Sequence, residues 1–241
     1  MVKNMLLLGA VLAVGLGVLE FAVRLLVPVR NVGPSFTIYD AEYGKRLKRS
    51  FTATRYSPEF TMSFSTNSLG FRGPETPNTP NGAILFLGDS FTEGYGVSDG
   101  AEFPAIIRET LRERGVAMSV VNAGIGDNGN GRWVKFLRDE AATHDPRLVV
   151  FQVHSNDFDD NLKENLFRLS ESGELLELPV QPPGPARRVQ TIIEAWPSLS
   201  YLHLVGLLRE LPAAMAGGFS EPEQNGSADG ATRHGRPIET D

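Results

Sequence analysis

The sequence has no cysteine at all, which removes disulfides, thiolate metal sites and cysteine nucleophiles and leaves the redox compartment unspecified. It also lacks an excess of positive charge. Lysine and arginine number 23 against 29 aspartates and glutamates, a formal net charge of -6, so there is no basic footprint and nucleic acid is not an expected partner. Histidine is scarce, with only His144, His154, His203 and His234. Against these absences stand 241 residues, 41% of them hydrophobic, enough for one domain with a real core.

One long apolar run is present, at the N-terminus. Lys3 precedes Met5 to Leu19, and Glu20 and Arg24 then interrupt a second apolar stretch, Phe21 to Val29. No small-residue cleavage site stands between Glu20 and Gly33, so residues 1–30 read as an uncleaved signal anchor that crosses the membrane once through residues 5–28. Glu20 and Arg24 are expected to snorkel toward an interface. Lys3 favours a cytoplasmic N-terminus, which puts the body on the periplasmic or outer side. A buried amphipathic helix is the poorer reading, because fifteen unbroken apolar residues have no polar face.

Residues 31–82 form a lead-in segment in which Phe60 to Phe64 alternates as a short strand, and Pro74 to Gly82 marks a boundary. A core follows over residues 83–165. Ala83 to Leu87 is a continuous apolar run of the kind buried on both faces of a parallel sheet. A helix carrying Pro104, Ile106, Ile107 and Leu111 stops at Gly115; a strand covers Met118 to Val121; a second helix turns Trp133, Val134, Leu137 and Ala141 to one side. Asp145-Pro146 breaks it, and Leu148 to Val153 is a third strand. The strand-helix alternation predicts an α/β fold, a three-layer sandwich around a parallel sheet, with functional residues at the carboxyl ends of the strands. Residues 166–212 read as a hairpin about Ser172-Gly173, a proline-rich linker from Pro179 to Pro185 and apolar-faced helices within Thr191 to Leu211. Residues 213–241 have the composition of a disordered tail.

The three strand ends bring together Gly88-Asp89-Ser90, then Asn122-Ala123-Gly124-Ile125-Gly126, then Asn156-Asp157. A serine at a strand-to-helix turn presents its hydroxyl among free backbone N–H groups, and an asparagine amide can donate to the same developing oxyanion. Asp89 reads as a brace for the turn. Asp157, Asp159 and Asp160 read as a solvated loop and helix start rather than a cation site, and no metal or cofactor is expected. The glycine spacing lacks the lysine of a phosphate-binding loop, and Thr92 stands where a G-x-S-x-G elbow needs glycine.

Gly88-Asp89-Ser90-Phe91-Thr92-Glu93-Gly94 resembles the first block of the GDSL/SGNH hydrolases, and the second and third blocks follow in order. Thr66 to Arg72 and Tyr43-Gly44 are similar to membrane-anchored bacterial members. The resemblance implies that Ser90 is the nucleophile and that its own N–H, a glycine of the second block and Asn156 donate to the oxyanion. Gly126 is the chosen glycine, with Gly124 open as well. The implied function is ester hydrolysis outside the cytoplasm, on an acylated glycan or lipid ester. An O-acyltransferase of envelope glycans and a non-catalytic remnant or binding protein are the alternatives.

The resemblance also implies a base, in an Asp-x-x-His pair near the C-terminus, and the sequence offers none. Asp229 and His234 are spaced by five. His144 reads as a helix-end residue and His203 as part of an apolar helix, while His154, two residues before Asn156, is a possible substrate contact. The simplest expectation is a shortened form of a longer enzyme that ends after its third strand; the rival is a natural short member.

Overall fold

The structure, a computed structural model, describes residues 2–77, 79, 81–182 and 196–215. Met1–Arg209 form one unit and Glu210–Asp241 a second; apart from the last residues of the helix His203–Met215, everything below lies in the first. The expected linker beyond residue 182, the helix start at 191–195 and the tail from 216 onward lie outside the described residues.

Helix α1 (Val2–Leu26) runs for 25 residues, about 37 Å at the helical rise. Its mean hydropathy of 2.4 makes it long and apolar enough to cross a membrane, a property that signal sequences share. Its side chains are exposed up to Leu19. The snorkelling expected of Glu20 gives way to another role. Its two carboxylate oxygens accept the backbone N–H groups of His203 and Leu204, each at 2.9 Å, which caps helix α6 (His203–Met215). Val23, Val29 and Val32 close the same joint against Leu204 and Leu207.

The lead-in segment holds more structure than its composition suggests. Strands β1 (Thr37–Asp40) and β2 (Gly44–Leu47) make one antiparallel hairpin, and β3 (Thr52–Tyr56) and β4 (Thr61–Ser65) another. Only the alternating β4 was expected. Their inward residues Phe36, Leu47, Ala53, Met62 and Phe64 form a separate small core, with Phe36 and Phe64 stacked at 4.1 Å. Ile125, from the loop that carries Gly126, packs onto it.

The α/β core is a three-layer sandwich. Strands β5 (Ala83–Leu87), β6 (Ser119–Asn122) and β7 (Pro146–Phe151) form a parallel sheet in the order β6-β5-β7. Every residue of central β5 is buried, and the period of two splits them between the layers. Leu85 and Leu87 meet Trp133, Phe136 and Leu137 around helix α4 (Asn130–Asp139). Ile84 and Phe86 meet Phe103, Ile107 and Leu111 of helix α3 (Phe103–Glu113). Two expected core positions are corrected here: Ile106 and Val134 face solvent, and Phe103 and Phe136 take the places facing the sheet. Beyond β7, helix α5 (Asp157–Glu164) precedes the expected hairpin, β8 (Phe167–Leu169) with β9 (Leu175–Glu177).

Candidate active site

Strand β5 delivers Gly88, Asp89 and Ser90 to the carboxyl edge of the sheet, where Ser90 opens the single helical turn α2 (Ser90–Glu93). Two glycines let that turn fold back so tightly. A Cβ at Gly88 would lie 2.1 Å from Thr92 Oγ1, and one at Gly124 would lie 2.3 Å from the backbone nitrogen of Glu93, so neither position accepts a side chain while α2 stays in place. Gly124 is thus a packing glycine. Its N–H is used by Asn122 Oδ1 at 3.1 Å.

Asp89 is fully buried and joins two of the strand ends. Its Oδ1 accepts the N–H of Phe91 at 2.9 Å, capping α2, and its Oδ2 accepts from Asn156 Nδ2 at 3.1 Å. The bracing role expected of Asp89 therefore extends to holding Asn156. The other Asn156 N–H goes to Asp160 Oδ2, also at 3.1 Å. With both amide hydrogens committed to carboxylates, Asn156 Oδ1 faces His154 Nδ1 at 2.5 Å. An amide oxygen there must accept, so His154 Nδ1 donates to it. The His154 ring stacks on Phe91, the neighbour of Ser90, at 4.6 Å.

The solvated aspartates expected at the start of α5 are corrected by burial. Asp157 and Asp160 point inward and only Asp159 is exposed. Burial raises the Asp157 carboxyl above the usual range, although one oxygen accepts the His154 backbone N–H at 2.7 Å. Lys163 partners Asp160 at 2.9 Å.

Gly126 lies directly beside the serine: a Cβ on it would sit 3.5 Å from Ser90 Cβ. Its own N–H is donated to the carboxylate of Glu93, three residues after Ser90, and its carbonyl accepts from Lys45 Nζ of strand β2. A buried acid and a buried base thus hold the two peptide groups flanking Gly126, and burial pushes the Glu93 carboxyl up and the Lys45 ammonium down. Arg72, buried in full, closes the other end of the turn. It donates to the carbonyls of Glu93 at 2.9 Å, Gly94 at 2.6 Å and Val97 at 2.7 Å.

The structure therefore brings Ser90, Gly126, Asn156 and His154 to one edge. The donors proposed on Gly126 and Asn156 are engaged by Glu93, Asp89 and Asp160, while the N–H and Oγ of Ser90 make no hydrogen bond among the described residues. His144 sits between the rings of Phe71 and Phe136, at 5.0 and 6.2 Å. His203 pairs with Glu20 at 3.4 Å, and His234 lies outside the described residues. Sequence reasoning gave no role to Glu93, Lys45 or Arg72. A charged residue on the inner side of a glycine-flanked turn was the one signal available for Glu93.

The model of the GDSL-like lipase/acylhydrolase family matches residues 86–230. The chain belongs to that family. An arylesterase of Vibrio mimicus is 24% identical over 137 residues, covering 52% of this chain and 68% of the relative. Thioesterase 1/protease 1/lysophospholipase L1 of Escherichia coli K12 is 32% identical over 74 residues, 31% of this chain and 34% of the relative. Among solved structures, AlinE4, an SGNH-hydrolase family esterase, is 21% identical over 55% of this chain and 53% of its own, with a TM-score of 0.28. The chain thus spans about half the length of that esterase and about a third of the Escherichia coli relative.

Proposed function

We propose that Ser90 is the nucleophile of an ester hydrolase acting outside the cytoplasm. Ser90 Oγ adds to the ester carbonyl carbon as its proton passes to a base. The carbonyl oxygen takes up the negative charge, the alcohol departs with a proton, and water releases the acyl group from Oγ. The observation that carries this reading is a serine with uncommitted Oγ and N–H at the mouth of a fully buried parallel strand, with Gly126 against it and Asn156 tied through Asp89 to its turn. Gly126 and Asn156 are proposed as the further oxyanion donors, drawing their N–H groups from the carboxylates that now hold them. His154, through Nε2 and its stack on Phe91, is proposed as a substrate contact. Acylated glycans and lipid esters suit a body held at a membrane by α1, and the related arylesterase and lysophospholipase point to ester hydrolysis over acyl transfer.

A fluorophosphonate probe on the full chain tests the nucleophile. The expected result is a single adduct on Ser90 that Ser90→Ala abolishes; a folded chain that stays unlabelled overturns it. His154→Ala is expected to raise the half-saturating probe concentration several-fold and leave the maximal rate within about two-fold, as a lost ground-state contact does. Alkaline phosphatase joined after Met215 is expected to be active in cells, and an inactive fusion beside an active cytoplasmic reporter would place the body inside.

A further inference from the structure

Strand β2 turns two side chains inward, Lys45 and Leu47, as its period of two requires. Leu47 enters the small core of Phe36, Met62 and Phe64. Lys45 is also buried but goes to the loop beside Ser90, where its Nζ donates to the carbonyl of Gly126 and, at 3.3 Å, to that of Asp127. Across the same glycine, the buried Glu93 carboxylate accepts the Gly126 N–H. Lysine and glutamate are seldom buried unless paired, and here both are spent on one residue of an irregular loop. With Gly124, Gly126 and Gly129 in it and Asp127 at φ +51°, that loop has much backbone freedom to lose.

Charge makes the arrangement more than a brace. A carboxylate standing alone at the Gly126 N–H would oppose the negative charge of an oxyanion formed there. Lys45, Arg55 and Arg72 are the cations whose charge acts on Glu93. Arg72 is engaged by Asp99 at 3.2 Å and by the carbonyls of Glu93, Gly94 and Val97, and Arg55 donates to Asn31 Oδ1 and the Pro34 carbonyl. Lys45 alone of the three is bonded to Gly126 itself. Its ion-pair partner, Asp127 at 3.7 Å, has a side chain 92% exposed, so solvent screens that pair and leaves the ammonium to offset Glu93.

On the reading of Ser90 as the nucleophile, we propose that Lys45 and Glu93 are a charge-balanced pair of positioning residues for Gly126. The two side chains hold its peptide groups against Ser90, and Lys45 cancels the carboxylate charge where the oxyanion forms. Fluorophosphonate labelling of the full chain at pH 8, at a temperature where circular dichroism shows every variant folded, tests the pair. Lys45→Gln keeps one donor for the carbonyls and leaves Glu93 uncompensated. Its maximal labelling rate should fall about ten-fold or more, approaching the loss of an oxyanion donor, with the half-saturating concentration held within about two-fold. Adding Glu93→Gln removes the opposing charge, still accepts the Gly126 N–H, and should recover about five-fold of that loss. A side chain that only supports the fold predicts no such recovery. Glu93→Gln alone, with Lys45 in place, should label about two-fold faster than the parent or better, and it decides the matter if Lys45→Gln does not fold. A parental rate in Lys45→Gln, a double variant as slow as the single, or Glu93→Gln no faster than the parent overturns the pair. A parent chain that takes no label defeats the nucleophile reading and this one with it, whereas a labelled parent with unaffected variants defeats the pair alone.

Discussion

Asn156 and Glu93 show how single side chains set the chemistry at this sheet edge. Asn156 is a neutral side chain set between two buried acids, and its two N–H groups separate Asp89 from Asp160. Asn156→Asp keeps the shape but turns two donors into acceptors and adds a charge to three buried acids. Lost hydrogen bonds to charged groups cost roughly 1.5–3 kcal/mol, and the loss of one oxyanion donor typically slows acyl transfer about 10²-fold. The expected outcome is therefore a clearly lower melting temperature and fluorophosphonate labelling about 100-fold slower. Labelling of a folded Asp variant at the parent rate would remove Asn156 from the reaction. Glu93 has a pH signature instead. Burial raises its carboxyl above the ordinary 4.5, so the folded chain keeps this proton at pH values where the unfolded chain has lost it. Its contribution to stability is complete below the ordinary value and declines as pH rises through the raised one. Glu93→Gln keeps an acceptor for the Gly126 N–H and cannot titrate. Thermal melts should show the parent losing stability relative to this variant from pH 4.5 upward, and parallel curves would contradict the burial argument.

At the scale of elements, the nucleophile turn depends on steric fit more than on helix propensity, since α2 is four residues long and shorter than any helix stable alone. Gly124→Ala would drive a methyl into the backbone of Glu93, at a cost of about 3 kcal/mol or more. Gly100→Ala is the control: it has φ +89° and nothing within 4 Å of its added Cβ, so only backbone strain of about 1 kcal/mol applies. Denaturant melts should separate the two variants by about 2 kcal/mol; equal losses would mean that α2 moves aside freely. The same contrast explains what the sequence revealed. The β5 run of five apolar residues and the strand-helix alternation are local patterns, and they predicted the parallel sheet and its layers. Which helix residue faces the sheet was harder to read. Ile106 and Ile107 are equally apolar, and only the pitch set by Phe103 and Leu111 turns Ile106 outward. The hairpins β1–β2 and β3–β4 have short strands whose pairing is fixed by the shared core of Phe36, Leu47, Met62 and Phe64, a tertiary fact that no window of sequence displays.

Across the whole molecule, the partners that sequence could not supply are the distant ones. Lys45 reaches a carbonyl 81 positions away, and Glu20 caps a helix that begins 183 positions later. Read locally, Glu20 is a charge inside an apolar helix, and an interface with lipid is its natural destination. In the fold it joins the end of α1 to α6, beside the valine cluster of Val23, Val29 and Val32. These two destinations make opposite predictions. If Glu20 caps α6, Glu20→Ala leaves the N–H groups of His203 and Leu204 without an acceptor, at about 1 kcal/mol. Hydrogen exchange at those two amides should then quicken about five-fold, while Glu20→Gln, which can still accept one of the bonds, falls between. If the carboxylate instead turns to the lipid interface, exchange at His203 and Leu204 stays at the parent rate in both variants. The measurement belongs in vesicles, where α1 has lipid available and Glu20 can choose between the two, so unchanged exchange there would undo the cap and with it the rigid attachment of α1 to the body.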